Sequence, residues 1–201
     1  MSARPLSEEE YARMVEFLGA AGRQRDRLLL VLGCGTGYRI TELLSLTIAQ
    51  VWDGKAARKE VLVARRNLKG GSGAHCRSVR SRRVPLSAKI QELVAEYMVS
   101  LAATASPEAA LFLTDRSGWT AMNRSSAFRM LTRTAKDCGI DERRVSTHCL
   151  RKIFVARAYR ATGHDLIKTQ RIVGHRSPMT TARYLETDQS ELDELVRTLA
   201  A

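Results

Sequence analysis

The chain has 201 residues, 44% of them hydrophobic, so it is long enough for one large domain with a proper core, and we expect a single domain over residues 1–201. No apolar run approaches the roughly 18 residues of a membrane span, and the N-terminus lacks the apolar stretch of a signal peptide, so we expect a soluble, cytoplasmic protein with no membrane partner. The 33 Lys and Arg residues against 21 Asp and Glu residues give a net charge of +12, which is typical of proteins that bind polyanions.

Three helices are predicted in the N-terminal part of the chain. Ser7 and Glu10 have the spacing of a capping box, which predicts a helix that begins after Ser7. The apolar segment 24–34 predicts a central helix that is ended by Gly35 and Gly37. The segment YRITELLSL predicts a short third helix with a buried apolar face.

Three short strands are predicted next, because β-branched residues and partial alternation follow one another in three segments. These segments are residues 49–53, 59–66 and 77–86. The Gly-rich loop between the last two is long for a hairpin, which is typical of functional or flexible connections. From Ser87 onward the periodicity predicts helices, including segments at 178–187 and 190–201. The sequence therefore predicts a mainly α protein with a small three-stranded antiparallel β-sheet, an α+β fold.

The positive charge is concentrated in the predicted sheet. Nine Lys and Arg residues and a single acid, Glu60, lie between positions 58 and 83. A solvated basic surface has the same composition, but a charge so localised favours a surface that contacts phosphate. The DNA-binding residues predicted here are Arg65, Arg66, Arg77, Arg80, Arg82 and Arg83.

Two short segments place cations at helix starts. In STHCLRKIF, His148 and Arg151 fall on one face of a first helical turn, where unpaired backbone N–H groups already favour an anion. In GTGYRITELL, Glu42 is three residues after Arg39 and can orient its guanidinium. Each segment alone also fits an ordinary surface helix with solvated charges.

The segment VGHRSPMTTARYLE places a histidine in a turn. Gly174 predicts the end of one helix, whereas Ser177 and Pro178 predict the start of the next. His175 therefore lies between two helices, and the turn can bring its imidazole back toward Tyr184.

Four motifs carry a resemblance to a known family: TGYRITELLSL, LKGG before RRVPL, THCLRKIF, and VGHRSPMTTARYLE. Their ordered set of Arg, Lys, His-x-x-Arg, Gly-His and Tyr resembles the tyrosine recombinase (phage integrase) family over nearly the whole chain. The resemblance implies the catalytic-domain fold of that family, with no N-terminal core-binding domain in this chain. The catalytic set that it implies is Arg39, Lys69, His148, Arg151, His175 and Tyr184.

The resemblance also implies a role for each residue. Tyr184 is the nucleophile that forms a covalent 3′-phosphotyrosine link to DNA, while Arg39 and Arg151 hold the non-bridging phosphate oxygens. Lys69 gives a proton to the leaving 5′ oxygen, and His148 assists proton transfer from the tyrosine.

Two further residues have supporting roles in the resembling family. His175 hydrogen-bonds the phosphate, and Glu42 holds the Arg39 guanidinium in one orientation. The loop that contains Lys69 is longer than usual, so another basic residue of the loop, such as His75, remains an alternative general acid. Position 152 is Lys where His is commoner in the family.

No metal ion or other cofactor is expected. Two arginines and a lysine supply the positive field that a phenol needs in order to attack phosphorus, because a phenol with its ordinary pKa of about 10 is a poor nucleophile. The sequence contains no GxxxxGK[ST] loop and no carboxylate cluster suited to Mg²⁺. Its cysteines lack the close spacing of a zinc site: Cys34, Cys76, Cys138 and Cys149.

The expected function is site-specific DNA recombination without metal or ATP. Two alternatives remain open: a type IB topoisomerase, which cuts and reseals one strand, and a DNA-binding regulator of the same fold that has lost catalysis. The expected partner is double-stranded DNA, on which a homotetramer forms, with a monomer possible without DNA. The segment 188–201 is either the last core helix or, as the resemblance implies, a helix that docks on a neighbouring subunit.

Overall fold

The protein folds into two compact units, Met1–Phe154 and Val155–Ala201, in a computed structural model. The residues that the structure describes are 5–64, 67, 81–101, 106–114, 120–185, 193 and 196–199. Within these ranges no helix is long and apolar enough to cross a membrane.

Most of the described chain is helical, as expected. The helices are α1 (Glu8–Ala20), α2 (Gln24–Thr36), α3 (Ile40–Leu44), α4 (Ile48–Val51), α5 (Ala88–Ser100), α6 (Arg124–Asp137), α7 (Thr147–Ala161), α8 (Leu166–Val173) and α9 (Pro178–Ala182), with a 3₁₀ turn at Glu142–Arg144. The strands are β1 (Glu60–Val63) and β2 (Arg82–Pro85).

The capping box predicted for α1 is present. The Glu10 N–H donates to the Ser7 hydroxyl at 3.1 Å, and the Ser7 N–H donates to the Glu10 carboxylate at 2.9 Å. These two bonds satisfy N–H groups that would otherwise be left open at the first turn, which explains where the helix begins.

Helix α2 is the centre of the first unit, because its apolar residues between positions 28 and 32 are almost fully buried. The helix passes through Gly35, where the absence of a side chain lets Ile90 of α5 pack closely. It ends at Gly37, which has a left-handed backbone with φ of 60°. The predicted stop is therefore at the second of the two glycines only.

The prediction of a third strand at 49–53 is wrong. Residues Ile48–Val51 form α4, because the side chain of Gln50 accepts the Thr47 N–H at 2.9 Å and caps a helical turn. The sheet of the described residues is the antiparallel pair β1–β2. The Gly-rich loop and the first part of the predicted segment 77–86 lie outside the described residues.

The second unit is built around α8 and α9. Asp165 caps α8 by accepting the Lys168 N–H at 2.8 Å, and Gly174 ends the helix with φ of 72°. Ser177 accepts the Met179 N–H at 3.2 Å and Pro178 is the first residue of α9, as predicted. Helix α9 ends at Ala182, before the end of the predicted segment 178–187, because Tyr184 and Leu185 donate their N–H groups to carbonyls three residues earlier, in tighter turns.

Gly37 predicts a measurable stability difference. A Cβ at this position would overlap the ring of Phe154, and the backbone there is left-handed. Gly37→Ala is expected to lower the free energy of unfolding by about 2–4 kcal/mol, from backbone strain plus the overlap. Chemical denaturation measures the loss.

Gly139→Ala is the matched control for this substitution. Gly139 has a similar φ of 70°, but a Cβ there meets nothing within 4 Å. It should lose only the strain, about 1 kcal/mol. Equal losses for the two variants would show that contact with Phe154 does not fix the turn.

Candidate active site

Arg39 is held by a buried carboxylate. It is the residue that precedes α3, and its Nη1 donates to the Glu42 Oε1 at 2.8 Å, while its backbone N–H donates to Oε2 at 2.8 Å. The Glu42 side chain is 1% exposed, whereas that of Arg39 is 37% exposed. One end of the guanidinium is therefore fixed to the protein, and the rest is accessible to an anion.

Arg151 contacts the same turn from α7. It is 2% exposed, and its Nη1 donates to the carbonyl oxygen of Gly37. Gly37 is two residues before Arg39, so one turn of backbone connects the two predicted phosphate-binding arginines. The structure thus brings Arg39, Glu42 and Arg151 together within Met1–Phe154.

His148 lies in the first turn of α7 and is exposed. Its N–H donates to the Ser146 hydroxyl at 3.2 Å, which caps the helix. Removal of water around the ring lowers the pKa of His148 below its ordinary value, and the positive charges of Arg124, Arg39, Lys152 and Arg151 lower it further. A neutral imidazole that can accept a proton is therefore favoured near neutral pH.

His175 and Tyr184 are neighbours in the second unit. Their ring centroids are 5.2 Å apart and their planes are 33° apart. His175 is 7% exposed, and its Nδ1 lies 2.9 Å from the hydroxyl of buried Thr181. Gln170 fixes the turn, because its side-chain amide donates to the His175 carbonyl at 2.9 Å. The turn does fold the imidazole toward the tyrosine.

Two other tyrosines are too buried to act as a nucleophile. Tyr38 is 1% exposed, and its hydroxyl lies 2.7 Å from the carbonyl oxygen of Arg82. Burial raises the pKa of Tyr38 to about 12. Tyr97 is 4% exposed and donates to the Leu111 carbonyl at 3.0 Å. Tyr184 is partly exposed, which leaves its ring accessible.

Of the six predicted DNA-binding residues, the structure describes Arg82 and Arg83, whereas Arg65, Arg66, Arg77 and Arg80 lie outside the described residues. The predicted general acid Lys69 and its alternative His75 also lie outside them. Arg83 is exposed on β2 and pairs with Glu60 at 3.0 Å. The Arg82 guanidinium contacts protein carbonyls instead, with its Nη2 donating to Thr36 at 2.8 Å.

Sequence reasoning missed one residue beside the predicted catalytic residues in each unit. Thr181 orients His175, and the only signal for it was its position on the same turn as the Gly-His pair. Arg124 at the start of α6 lines a cavity of about 480 Å³ together with His148 and Phe128. No local motif marked Arg124, because it reaches His148 only through tertiary packing.

Comparison with known proteins gives a consistent result. The model of the phage integrase family matches residues 4–191. Tyrosine recombinase XerD of Corynebacterium glutamicum is 33% identical over 175 residues, which cover 86% of this chain and 52% of that protein. Tyrosine recombinase XerA of Pyrococcus furiosus is 28% identical over 194 residues, which cover 96% of this chain and 60% of that protein. The chain thus spans about half to three fifths of the length of these two relatives.

Solved structures share the fold. The crystal structure of XerA recombinase matches with a TM-score of 0.73 at 24% identity, over 100% of this chain and 64% of that chain. The post-cleavage complex of XerH site-specific recombinase with palindromic difH substrate matches with a TM-score of 0.71 at 24% identity, over 100% of this chain and 54% of that chain. The mainly helical architecture with a small antiparallel sheet is confirmed by these neighbours.

Proposed function

The chain belongs to the phage integrase family of tyrosine recombinases, and from this premise we propose that it cuts and rejoins DNA at specific sites through a covalent 3′-phosphotyrosine intermediate. The observation that supports the proposal most directly is the adjacent placement of the His175 and Tyr184 rings, 5.2 Å apart. The capping of α9 by Ser177 and Pro178 does not by itself require a histidine and a tyrosine side by side.

The proposed cleavage step exchanges one P–O bond for another. The Tyr184 Oη attacks the scissile phosphorus, a P–O bond to the tyrosine forms, and the P–O5′ bond breaks. Lys69 gives a proton to the departing 5′ oxygen, and neutral His148 accepts the phenolic proton. A 5′-hydroxyl of another strand can then attack the phosphotyrosine and release the enzyme, so no ATP is consumed.

The two arginines stabilise the charge that gathers on phosphorus. In the transition state the non-bridging oxygens carry more negative charge than in the ground state, so fixed guanidinium groups lower the barrier. Glu42 holds Arg39 at 2.8 Å and the Gly37 carbonyl holds Arg151, which leaves little reorganisation at the moment of reaction. His175 supplies a further hydrogen bond to the phosphate.

Covalent capture tests the proposal. A library of random duplexes, each nicked a few bases from the candidate scissile phosphate, releases the short strand after cleavage and traps the protein on DNA. We expect an adduct that survives detergent and is lost on protease treatment. A catalytically silent DNA-binding regulator gives no adduct, and relaxation of a supercoiled plasmid that lacks the captured sequence would identify a type IB topoisomerase.

The environment of His148 predicts a pH dependence. Since the pKa of His148 is lowered below its ordinary value of about 6.5, the neutral base persists at neutral pH. Single-turnover cleavage of the captured duplex should therefore be retained at neutral pH and lost as the pH falls through that lowered pKa. Cleavage rates of wild-type protein at saturating concentration across mildly acidic pH measure the midpoint.

Arg124→Gln is the informative variant for this profile. Removing one of the positive charges near His148 raises its pKa, so the acidic midpoint should move to higher pH. A profile that stays unchanged in both Arg124→Gln and His148→Gln would show that another group is the base.

We also propose that the C-terminal segment 188–201 docks on a neighbouring copy in a homotetramer on DNA. Asp193 and residues 196–199 of this segment are helical. Val196 and Leu199, three residues apart on one helical face, are 64% and 85% exposed. An apolar face so exposed favours a protein partner, and mass photometry of the captured complex counts the subunits.

A further inference from the structure

Arg82 faces the interior of the first unit, although it lies in the most basic stretch of the chain. On the antiparallel pair, Arg82 is opposite Val63, which is fully buried, so its side chain lies on the inner face of the sheet. Arg83 is opposite Leu62 on the outer face and is 66% exposed. Two adjacent arginines therefore have opposite orientations.

The Arg82 guanidinium is held at the end of α2. Its Nη2 donates to the Thr36 carbonyl at 2.8 Å, and its Nη1 donates to the Gly37 carbonyl at 3.5 Å. These carbonyls carry the negative end of the α2 dipole, which favours a cation. The guanidinium also lies over the rings of Tyr38, at 4.8 Å, and Phe154, at 5.9 Å.

Tyr38 contacts Arg82 twice. Its hydroxyl donates to the carbonyl oxygen of Arg82 at 2.7 Å, and its ring lies under the Arg82 guanidinium. Strand β2 is thereby fixed to the turn at residues 36–39. Burial lowers the pKa of the Arg82 guanidinium, in keeping with a position away from solvent.

This turn positions both arginines of the proposed phosphate site. The Gly37 carbonyl that Arg82 contacts is the atom to which Arg151 donates, and Arg39 follows two residues later. We propose, on the basis of the function above, that Arg82 is a positioning residue that sets Arg39 and Arg151 for the transition state, and is not a DNA contact. A change at Arg82 thus acts on the reaction through this turn.

The test compares Arg82→Lys and Arg82→Gln with Arg83→Gln. A lysine keeps the positive charge but lacks the planar guanidinium that binds two carbonyls. If Arg82 is a positioning residue, cleavage should be slowed in both Arg82 variants. If Arg82 contacts DNA, Arg82→Lys should cleave at close to the wild-type rate. Single-turnover cleavage of the captured duplex should fall by about tenfold or more in both. The dissociation constant for DNA should change by less than about threefold, since phosphate contacts remain.

A methylphosphonate at the scissile position separates positioning from loss of folding. This substrate lacks the negative charge that the arginines stabilise, so the difference between wild type and the Arg82 variants should shrink on it. A smaller fraction of folded protein would lower the cleavage rates of both substrates by the same factor. Wild-type cleavage by Arg82→Lys, or equal losses on the two substrates, would overturn the inference.

A spectroscopic measurement does not depend on the proposed function. In protein with isotope-labelled arginine, the side-chain N–H signals of Arg151, assigned with Arg151→Lys, should shift in Arg82→Lys and stay in place in Arg83→Gln. If the wild type captures no duplex, the proposed function is wrong. The Arg151 signals still show whether Arg82 influences Arg151 through the Gly37 carbonyl. Unchanged Arg151 signals would refute the coupling, whatever the chain does to DNA.

Discussion

The Tyr184→Phe protein is expected to form no covalent adduct with a nicked duplex that captures the wild type. The substitution removes one oxygen atom, and that atom is the proposed nucleophile, so cleavage should fall below detection. DNA affinity should stay within about twofold, because binding comes from phosphate contacts made by Lys and Arg. Denaturing gels of the labelled duplex measure the adduct, and fluorescence anisotropy measures the affinity.

Tyr159→Phe is the matched control for this experiment. Tyr159 belongs to the same unit and its ring contacts His164 at 4.9 Å between centroids. The control loses the same atom from a partly buried tyrosine and should still form the adduct. An adduct that persists in the Tyr184→Phe protein would assign the nucleophile to another residue.

The second large effect is expected at the two arginines. Arg39→Gln and Arg151→Gln should each reduce single-turnover cleavage by at least about a hundredfold, the scale of losing a contact to charge that develops in the transition state. The charge-preserving Arg151→Lys should also lose most activity, because an ammonium cannot bind the Gly37 carbonyl and a phosphate oxygen as a guanidinium does. Rates at saturating protein separate this loss from weaker binding.

Lys89→Gln controls for the loss of one positive charge. Lys89 is an exposed residue of α5 that pairs with Glu92 at 2.9 Å, so its removal changes the net charge by the same amount without touching the site. Thermal unfolding of Arg151→Gln and Arg151→Lys shows whether the buried side chain is also needed for folding. Cleavage at the wild-type rate by folded Arg39→Gln or Arg151→Gln would contradict their role as phosphate ligands.

Local signals were sufficient for most helices. The capping box of α1, the glycine ends of α2 and α8, and the Ser-Pro start of α9 all act within four residues of chain, so they could be predicted before any packing was known. The strand predicted at 49–53 was wrong although the deciding signal was also local. Thr47 and Gln50 have the spacing of a capping box, which the prediction overlooked and which starts the helix α4.

The site residues were also predicted from local sequence motifs. The order of the motifs predicted Arg39, His148, Arg151, His175 and Tyr184 as the catalytic residues, because the resemblance depends on residue type and spacing alone. The support of Arg39 by Glu42 is also local, at three residues, and the structure has it as expected.

The sequence by itself determined where most helices begin and end and that the chain is mainly α, and its motifs predicted which residues carry the chemistry. Only the tertiary structure decided that Arg82 faces inward while Arg83 faces outward, and that Arg151 binds a carbonyl 114 positions away. The physical reason is that capping and periodicity act between near neighbours, whereas the direction of a side chain on a strand depends on register with a distant partner.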